Sequence, residues 1–255
     1  MPASLTLTAF VDLPTITPGT DLPALIAEGA ASAGVGLRDD DILVLAQKIV
    51  SKAEGRRVRL AEVRASARAE ALAVQADKDP RVVELILQES SEVLRCRPGA
   101  IIVVHRLGFV LANAGIDASN VEAPDGEESV LLLPTNPDAS AARIRAELRR
   151  LSGADVGVVI NDSFGRAWRM GTTGTAIGVA GLPGLLDLRG MPDRTGRALR
   201  VTELGVADEL ASAASLLMGQ AAEGRPVVHV RGFPYPRREG NAAELIRPKH
   251  MDMFR

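Results

Sequence analysis

Apolar and polar positions along the chain switch between two spacings, and the switches predict the elements. Residues 41–46 (DILVLA) read as a buried strand that runs straight into Gln47-Lys48-Ile49-Val50-Ser51-Lys52. Residues 60–74 and 81–94 carry apolar side chains at helical spacing. The second run opens behind Asp79-Pro80, a cap followed by proline at the first turn. The spacing then shortens to that of strands at 100–105 and 109–112, which Arg106-Leu107-Gly108 joins as a hairpin. A further strand is predicted over 130–133, then an amphipathic helix over 137–151 stopped at Gly153. The second half begins with a strand at 156–160 that is apolar on both faces and ends at Asn161-Asp162-Ser163. Residues 165–190 hold seven glycines and too little periodicity to assign an element. Thr202 is expected to cap a helix over 203–218, rich in Ala207, Ala211, Ala213 and Ala214 and closed by Gly219. A last strand at 226–230 precedes a largely irregular tail with one helical turn at 242–246. This mixture of hairpins and crossover helices predicts an α+β fold with mixed sheets rather than a doubly wound sheet. The expectation is one domain over 1–255, with a conceivable subdomain boundary near 151–154.

Composition narrows the class of molecule. With 255 residues, 46% hydrophobic and 24% charged, and a formal net charge of -2, the chain is expected to be globular and soluble, and nucleic acid is not an expected partner. The apolar runs fall short of the ~18–20 residues a membrane span needs. The N-terminus lacks a basic n-region, so the protein is expected in the cytoplasm with no membrane partner. The single cysteine, Cys96, excludes an internal disulfide and a cysteine-based zinc site. His105, His229 and His250 read as packed or exposed residues. Of 30 basic residues only four are lysines, Lys48, Lys52, Lys78 and Lys249, and two of these share one short stretch. A lysine carries a compact charge on a flexible stem, suited to phosphate.

Several common signatures are missing: a Walker A loop, G-x-G-x-x-G, H-E-x-x-H and G-x-S-x-G. Polar residues gather instead where strands are expected to end. Residues 113–120 (NAGIDASN) offer oxygen ligands for a hard cation such as Mg²⁺ or Mn²⁺, although a self-satisfied tight turn explains them equally well. Asp162-Ser163 stands at the end of a buried strand, where open sheets present ligands, followed by Arg166, Trp168 and Arg169. The glycines at 171, 174, 178 and 181 could cradle phosphate or simply allow close packing. Asp187, Arg189, Asp193, Arg194 and Arg197 read as solvated ion pairs; of Asp208 and Glu209, one reads as paired and one as solvent-facing. Residues 218–226 join a helix to a strand with polar groups suited to a base or ribose. Together these features suit the handling of a polyphosphate, which needs cations rather than neutral polar groups.

The run 47–56 (QKIVSKAEGR), ANAGIDASN over 112–120, Leu133-Pro134 with Asp138, NDSFGRAW over 161–168, AIGVAG over 176–181, and ADELASAA over 207–214 with Met218-Gly219 resemble the γ-glutamyl ligases of coenzyme F420 biosynthesis. The likeness spans residues 13–232. It implies an enzyme, a GTP-dependent ligase that joins L-glutamate to F420-0 through an acyl phosphate and then adds further γ-linked glutamates. It also implies Mn²⁺ or Mg²⁺ at two sites, K⁺, and an intertwined homodimer of two interlocked subdomains. By matching position, Asp117 and Asp162 would bind one metal, with Ser163 and Gln220 at the second. Leu13, Pro14, Thr15 and Ile16 would meet GTP, as would Gln47, Lys48, Lys52 and Asn120. Met218, Gly219, Gln220, Ala221, Ala222, Glu223, Gly224 and Arg225 would surround its base or ribose. The chain departs from the pattern at Gln47, where a hydroxyl residue is common, and in a longer stretch between Leu13 and Lys52. No fused flavin reductase domain is expected. Two readings compete: a metal-dependent nucleotide phosphohydrolase that uses Asp117 and Asp162, and a nucleotide-binding protein without turnover.

Overall fold

The computed structural model describes residues 4–117 and 126–253. Its elements are β1 (Thr6–Phe10), α1 (Leu22–Ser32), β2 (Ile42–Ala46), α2 (Gln47–Ala53), β3 (Arg57–Arg59), α3 (Ala67–Ala76), α4 (Pro80–Gln88), β4 (Ser90–Arg97), β5 (Ala100–His105), β6 (Val110–Ala112), β7 (Ser129–Leu131), α5 (Pro137–Ser152), β8 (Gly157–Arg166), β9 (Arg169–Ala180), β10 (Leu186–Asp187), β11 (Glu203–Leu204), α6 (Val206–Met218) and β12 (Val227–Arg231). Among the described residues the principal sheet runs β1-β12-β2-β8-β9. Only β2 and β8 pair in parallel; the other neighbours are antiparallel. Three smaller sheets, β4-β5-β6, β3-β7 and β10-β11, complete an α+β architecture with mixed pairing, as the sequence pattern predicts. The main core lies around the large sheet, where Ile42 to Leu45, Val158 to Ile160, and Val227 and Val228 are fully buried. A second cluster joins α3 and α4 to the β4-β5-β6 sheet, and a third packs Leu60, Leu85, Val130 and Leu132.

Two elements place the site. The parallel pair ends where Ala46 meets Asn161, and β2 turns there directly into α2. On its other side β8 is paired with β9 for a further five residues, to Arg166. The strand therefore does not end at 161–163 as expected. Asp162 sits in mid-strand, one residue beyond the carboxyl edge of the parallel pair. The glycine-rich stretch that showed no period supplies the partner strand, β9. An extra residue, Ile177, enters β9 between the Ile160–Gly178 and Asn161–Ala176 pairs, which turns Gly174 and Gly178 to opposite faces. A Cβ on Gly174 would collide with the Ala211 carbonyl of α6, and one on Gly178 would meet the Pro137 carbonyl of α5 at 2.6 Å. These glycines let a helix rest on each face of the sheet. Gly178→Ala should cost about 1–3 kcal/mol through overpacking, read as a shifted midpoint in denaturant unfolding with an unchanged slope.

Other expected bounds shift for identifiable reasons. The helix expected over 60–74 is split: Leu60 enters the third cluster from a short 3₁₀ turn, and α3 begins only after Ser66, whose hydroxyl accepts from the Ala69 N–H. The helix expected over 81–94 stops at Gln88, because Ser90 to Arg97 pair with β5 as β4. The helix expected from 203 begins at Val206, with Gly205 rather than Thr202 as its cap, since Glu203 and Leu204 pair with Asp187 and Leu186. The hairpin, the helix over α5 with Gly153 in the left-handed cap, the strand entering α2 and the turn at Ala242–Leu245 form where the pattern places them. β1 and α1 carried no assigned element; Asp21 caps α1 by accepting from the Ala24 N–H. No described helix is long and apolar enough to cross a membrane.

Candidate active site

A cavity of about 500 Å³ opens between the segment from Leu13 to Ile16, α2, the middle of β8 and the loop after α6. Four stretches far apart in sequence meet there because α2 leaves β2 beside Asn161, while α6 ends at Gly219 across the same strand edge. Lys48 and Lys52, one helical turn apart on α2, both line the cavity. Gln47 lines it from a buried position and accepts a hydrogen bond from the Ser51 hydroxyl at 2.8 Å.

Charge is concentrated on the β8 side. Lys48 Nζ lies 2.6 Å from Asp117 Oδ2. Asp162 has its carboxyl pushed up to about 6, chiefly by burial; its own strand's Ser163 N–H opposes this, the Asp117 carboxylate reinforces it, and Lys48 opposes it. The side chain is packed by protein on nearly every side yet reaches solvent through the cavity mouth. The Ser163 hydroxyl donates to Gln220 Oε1 at 2.8 Å, tying β8 to the loop after α6. Two carboxylates, a hydroxyl and an amide oxygen form a hard-oxygen donor set. A pair of carboxylates whose mutual repulsion and burial raise one of them suits a divalent cation, which would reverse both effects. Among the described residues no group of three or more His, Cys, Asp or Glu converges, so what these residues could add to the two carboxylates is neutral oxygen, with water and phosphate completing the shell of such an ion.

The structure brings Leu13, Pro14, Thr15, Ile16, Gln47, Lys48, Lys52, Asp162, Ser163, Met218, Gly219, Gln220, Ala221, Ala222, Gly224 and Arg225 to this one cavity. Asp117 stands behind Lys48. Glu223 is not among the lining residues: its carboxylate folds back to accept from the Ala221 N–H at 2.8 Å and packs against Gly219, whose φ of 73° a larger residue would not favour. Asn120 lies outside the described residues. Arg166 and Arg169 flank the exposed turn of the β8-β9 hairpin, away from the lining, with Trp168 87% exposed between them. The charged loop is solvated as expected, with Arg189 paired to Asp187 at 2.6 Å. Asp208 accepts from the Ala176 N–H while Glu209 faces solvent. Sequence reasoning passed over Asn161. Its amide donates to Ser215 Oγ at 2.9 Å and its oxygen accepts from the Thr175 N–H at 3.0 Å, fixing β8, β9 and α6 around the cavity. A buried asparagine opening a polar run at a strand edge was the available signal.

The family described as F420-0:Gamma-glutamyl ligase matches residues 11–232. A protein of Methanothermobacter thermautotrophicus named Coenzyme F420:L-glutamate ligase is 45% identical over 245 residues, 95% of this chain and 96% of its own length. Proteins of the same name from Methanopyrus kandleri and Archaeoglobus fulgidus are 47% and 43% identical, over 94% and 95% of this chain and 93% of each of their own lengths.

Proposed function

Because the chain belongs to the F420-0:gamma-glutamyl ligase family, a family of ligases of coenzyme F420 biosynthesis, we propose that it joins L-glutamate to F420-0 at the expense of GTP and then extends the product with γ-linked glutamates. The observation that carries the nucleotide reading is the convergence of four separate segments on one cavity lined by Lys48, Lys52 and Asp162, with Asp117 paired to Lys48.

A carboxylate is a poor electrophile, so the reaction needs an activated acyl group. In the proposed sequence an acceptor carboxylate oxygen attacks the terminal phosphorus of GTP; the phosphorus–oxygen bond to GDP breaks and an acyl phosphate forms. The glutamate amine then attacks the acyl carbon, the carbon–oxygen bond to phosphate breaks, and the amine loses a proton as the amide forms. Lys48 and Lys52 would hold the phosphates against mutual repulsion. Asp117, Asp162, Ser163 and Gln220 would hold Mn²⁺ or Mg²⁺ in two sites, with K⁺ assisting, and the divalent ions would supply neutralisation of phosphate charge. Leu13 to Ile16 and the loop from Met218 to Arg225 would enclose the base and ribose. Lys48, which lines the cavity, is paired with Asp117, a contact that bound phosphate would exchange. We also propose the homodimer of interlocked subdomains, supported by Trp168 and Met170, which are 87% and 95% exposed at the β8-β9 turn.

Incubating the purified protein with F420-0, GTP, Mn²⁺, K⁺ and L-glutamate should give products heavier by one or more glutamyl units, with one GDP released per unit. GTP hydrolysis without glutamate incorporation would instead favour the phosphohydrolase reading. Binding of GTP with neither reaction would favour the protein without turnover.

A further inference from the structure

A second cavity, of about 340 Å³, adjoins the first and shares Thr15, Ile16 and Lys52 with it. Its far wall is β3. Alternation along that strand sends Val58 into the apolar cluster of Leu60, Leu85, Val130 and Leu132, so Arg57 and Arg59 stand together on the opposite face, where both line the cavity. With Lys52 they bring three cations to its walls, and among the described residues the lining holds one acid, Glu62. Arg59 meets Glu62 at 3.6 Å and Glu127 at 3.5 Å, both through half-exposed side chains, and such pairs contribute little and yield readily to a better-placed anion.

The register links this wall to the proposed reaction centre. Arg57 pairs with Leu131 of β7, and Leu131 pairs in turn with Asp117. Three residues thus lie in a row across neighbouring strands, each step about 4.8 Å. Asp117 ends the row and holds Lys48 on the wall of the first cavity. An extended anion in the second cavity could rest its far end on Arg57 and Arg59 while its near end approaches Lys48.

We propose that this second cavity holds the anionic chain of the acceptor, with Arg57 and Arg59 gripping carboxylates of glutamyl units already in place. The proposal rests on the ligase reading and adds to it the site that determines whether elongation continues. Each ligation consumes one carboxylate of the acceptor and brings in a glutamate bearing two, so the acceptor gains one carboxylate per round. A cationic cavity beside the reaction centre binds the lengthened product more tightly than the starting acceptor and retains it for the next round. Guanidinium forks suit this role because each can take a carboxylate through two parallel hydrogen bonds.

The test combines a binding measurement that needs no turnover with a kinetic one. γ-Linked triglutamate is titrated calorimetrically into the wild-type protein, the double variant Arg57→Gln/Arg59→Gln and the double variant Arg57→Lys/Arg59→Lys; GTP binding serves as the check of folding. The expected result is binding to the wild type, about tenfold or more weaker binding to the glutamine variant, partial retention with lysines, and unchanged GTP affinity. In the ligation assay the glutamine variant should raise KM for a monoglutamylated acceptor more than for F420-0 and shorten the product ladder. Absence of triglutamate binding to the wild type, or equal binding to wild type and glutamine variant, overturns the proposal. Wild-type ligation with an unaltered ladder and KM in that variant also overturns it and leaves the ligase reading standing. Arginine-dependent triglutamate binding without any wild-type ligation supports the anion site and removes the ligase reading.

Discussion

Asp162→Asn should lower glutamate incorporation by about 10²–10³-fold or more without weakening the fold. The two halves of this expectation come from the same feature. Asp162 is held above the usual carboxylate range, to about 6, because burial and the Asp117 charge disfavour its ionised form. For a group whose folded-state value is raised, the favourable contribution to stability is complete below its unfolded value, near pH 4, and is lost as pH rises through about 6. At neutral pH the wild-type protein therefore carries the cost of an ionised, packed carboxylate when no cation balances it. Asparagine keeps the shape and removes that cost. In the absence of divalent ions, the variant should be at least as stable as the wild type at pH 7, and the stability difference should close as pH falls toward 4. What the variant would lose is a charged oxygen of the proposed metal site, to which the described residues bring two carboxylates, Asp117 and Asp162.

The same shift gives a pH signature. Below about pH 6 a growing fraction of wild-type Asp162 carries a proton, and a proton and the proposed divalent cation would compete for the same oxygens. Activity should fall on the acid side with an apparent midpoint near 6, and raising Mn²⁺ should move that midpoint lower. A midpoint indifferent to Mn²⁺, or a variant that ligates normally, would remove Asp162 from the metal-binding role.

Much of the scaffold of this site can be read from the sequence because its elements keep a clean period. The strand entering α2, the helix over α5 and the β5-β6 hairpin are of this kind. β9 is not, since its interior glycines at 174 and 178 face the helices α6 and α5, and positions that must stay empty of side chains carry no hydrophobic signal. β4 was concealed for the opposite reason: Val93 and Leu94 continue the helical spacing of α4, and only pairing with β5 decides for a strand. At the site, the lysine stretch and Asp162-Ser163 stand out locally, but the contact of Lys48 with Asp117 depends on α2 and the residues after β6 being brought together by the sheets. Arg57 and Arg59 illustrate the limit. In sequence they are two of many arginines; only the direction of Val58 and the register to Leu131 show that they share a wall beside the cavity.

Asp41→Ala should be the most destabilising of these substitutions, and it should leave chemistry alone. Asp41 is 2% exposed at the entry to β2 and gathers three elements. It accepts from Arg231 Nε at 2.8 Å and Nη2 at 2.6 Å, lies 3.0 Å from His229 Nε2, and accepts from the Arg38 N–H at 2.8 Å. Burial works to raise its value, but the Arg231, His229 and backbone hydrogen bonds outweigh that and hold it below the usual range. Removing the carboxylate leaves Arg231 Nε without its acceptor and the buried His229 without its acidic neighbour, while Arg231 Nη2 keeps the Gly36 carbonyl at 2.7 Å. Loss of one partner from a buried pair costs about 3–5 kcal/mol, and because Arg231 is 32% exposed the lower end applies here. For a chain of this length that corresponds to a fall in Tm of about 10 °C. The pH dependence has the opposite sign to that of Asp162. A lowered folded-state value contributes stability that is complete above the unfolded value, near 4, and is lost as pH falls through the folded one. Wild type and variant should therefore differ most at neutral pH and converge on acidification. Asp41 and the cavity lie at opposite ends of β2, about 16 Å apart along the strand. Below the unfolding transition, kcat and the KM values for GTP and acceptor should consequently match those of the wild type. A variant with wild-type Tm at pH 7 would show that Arg231 and His229 find other partners, and a changed kcat at a temperature where the variant is folded would show that β2 transmits strain from one end to the other.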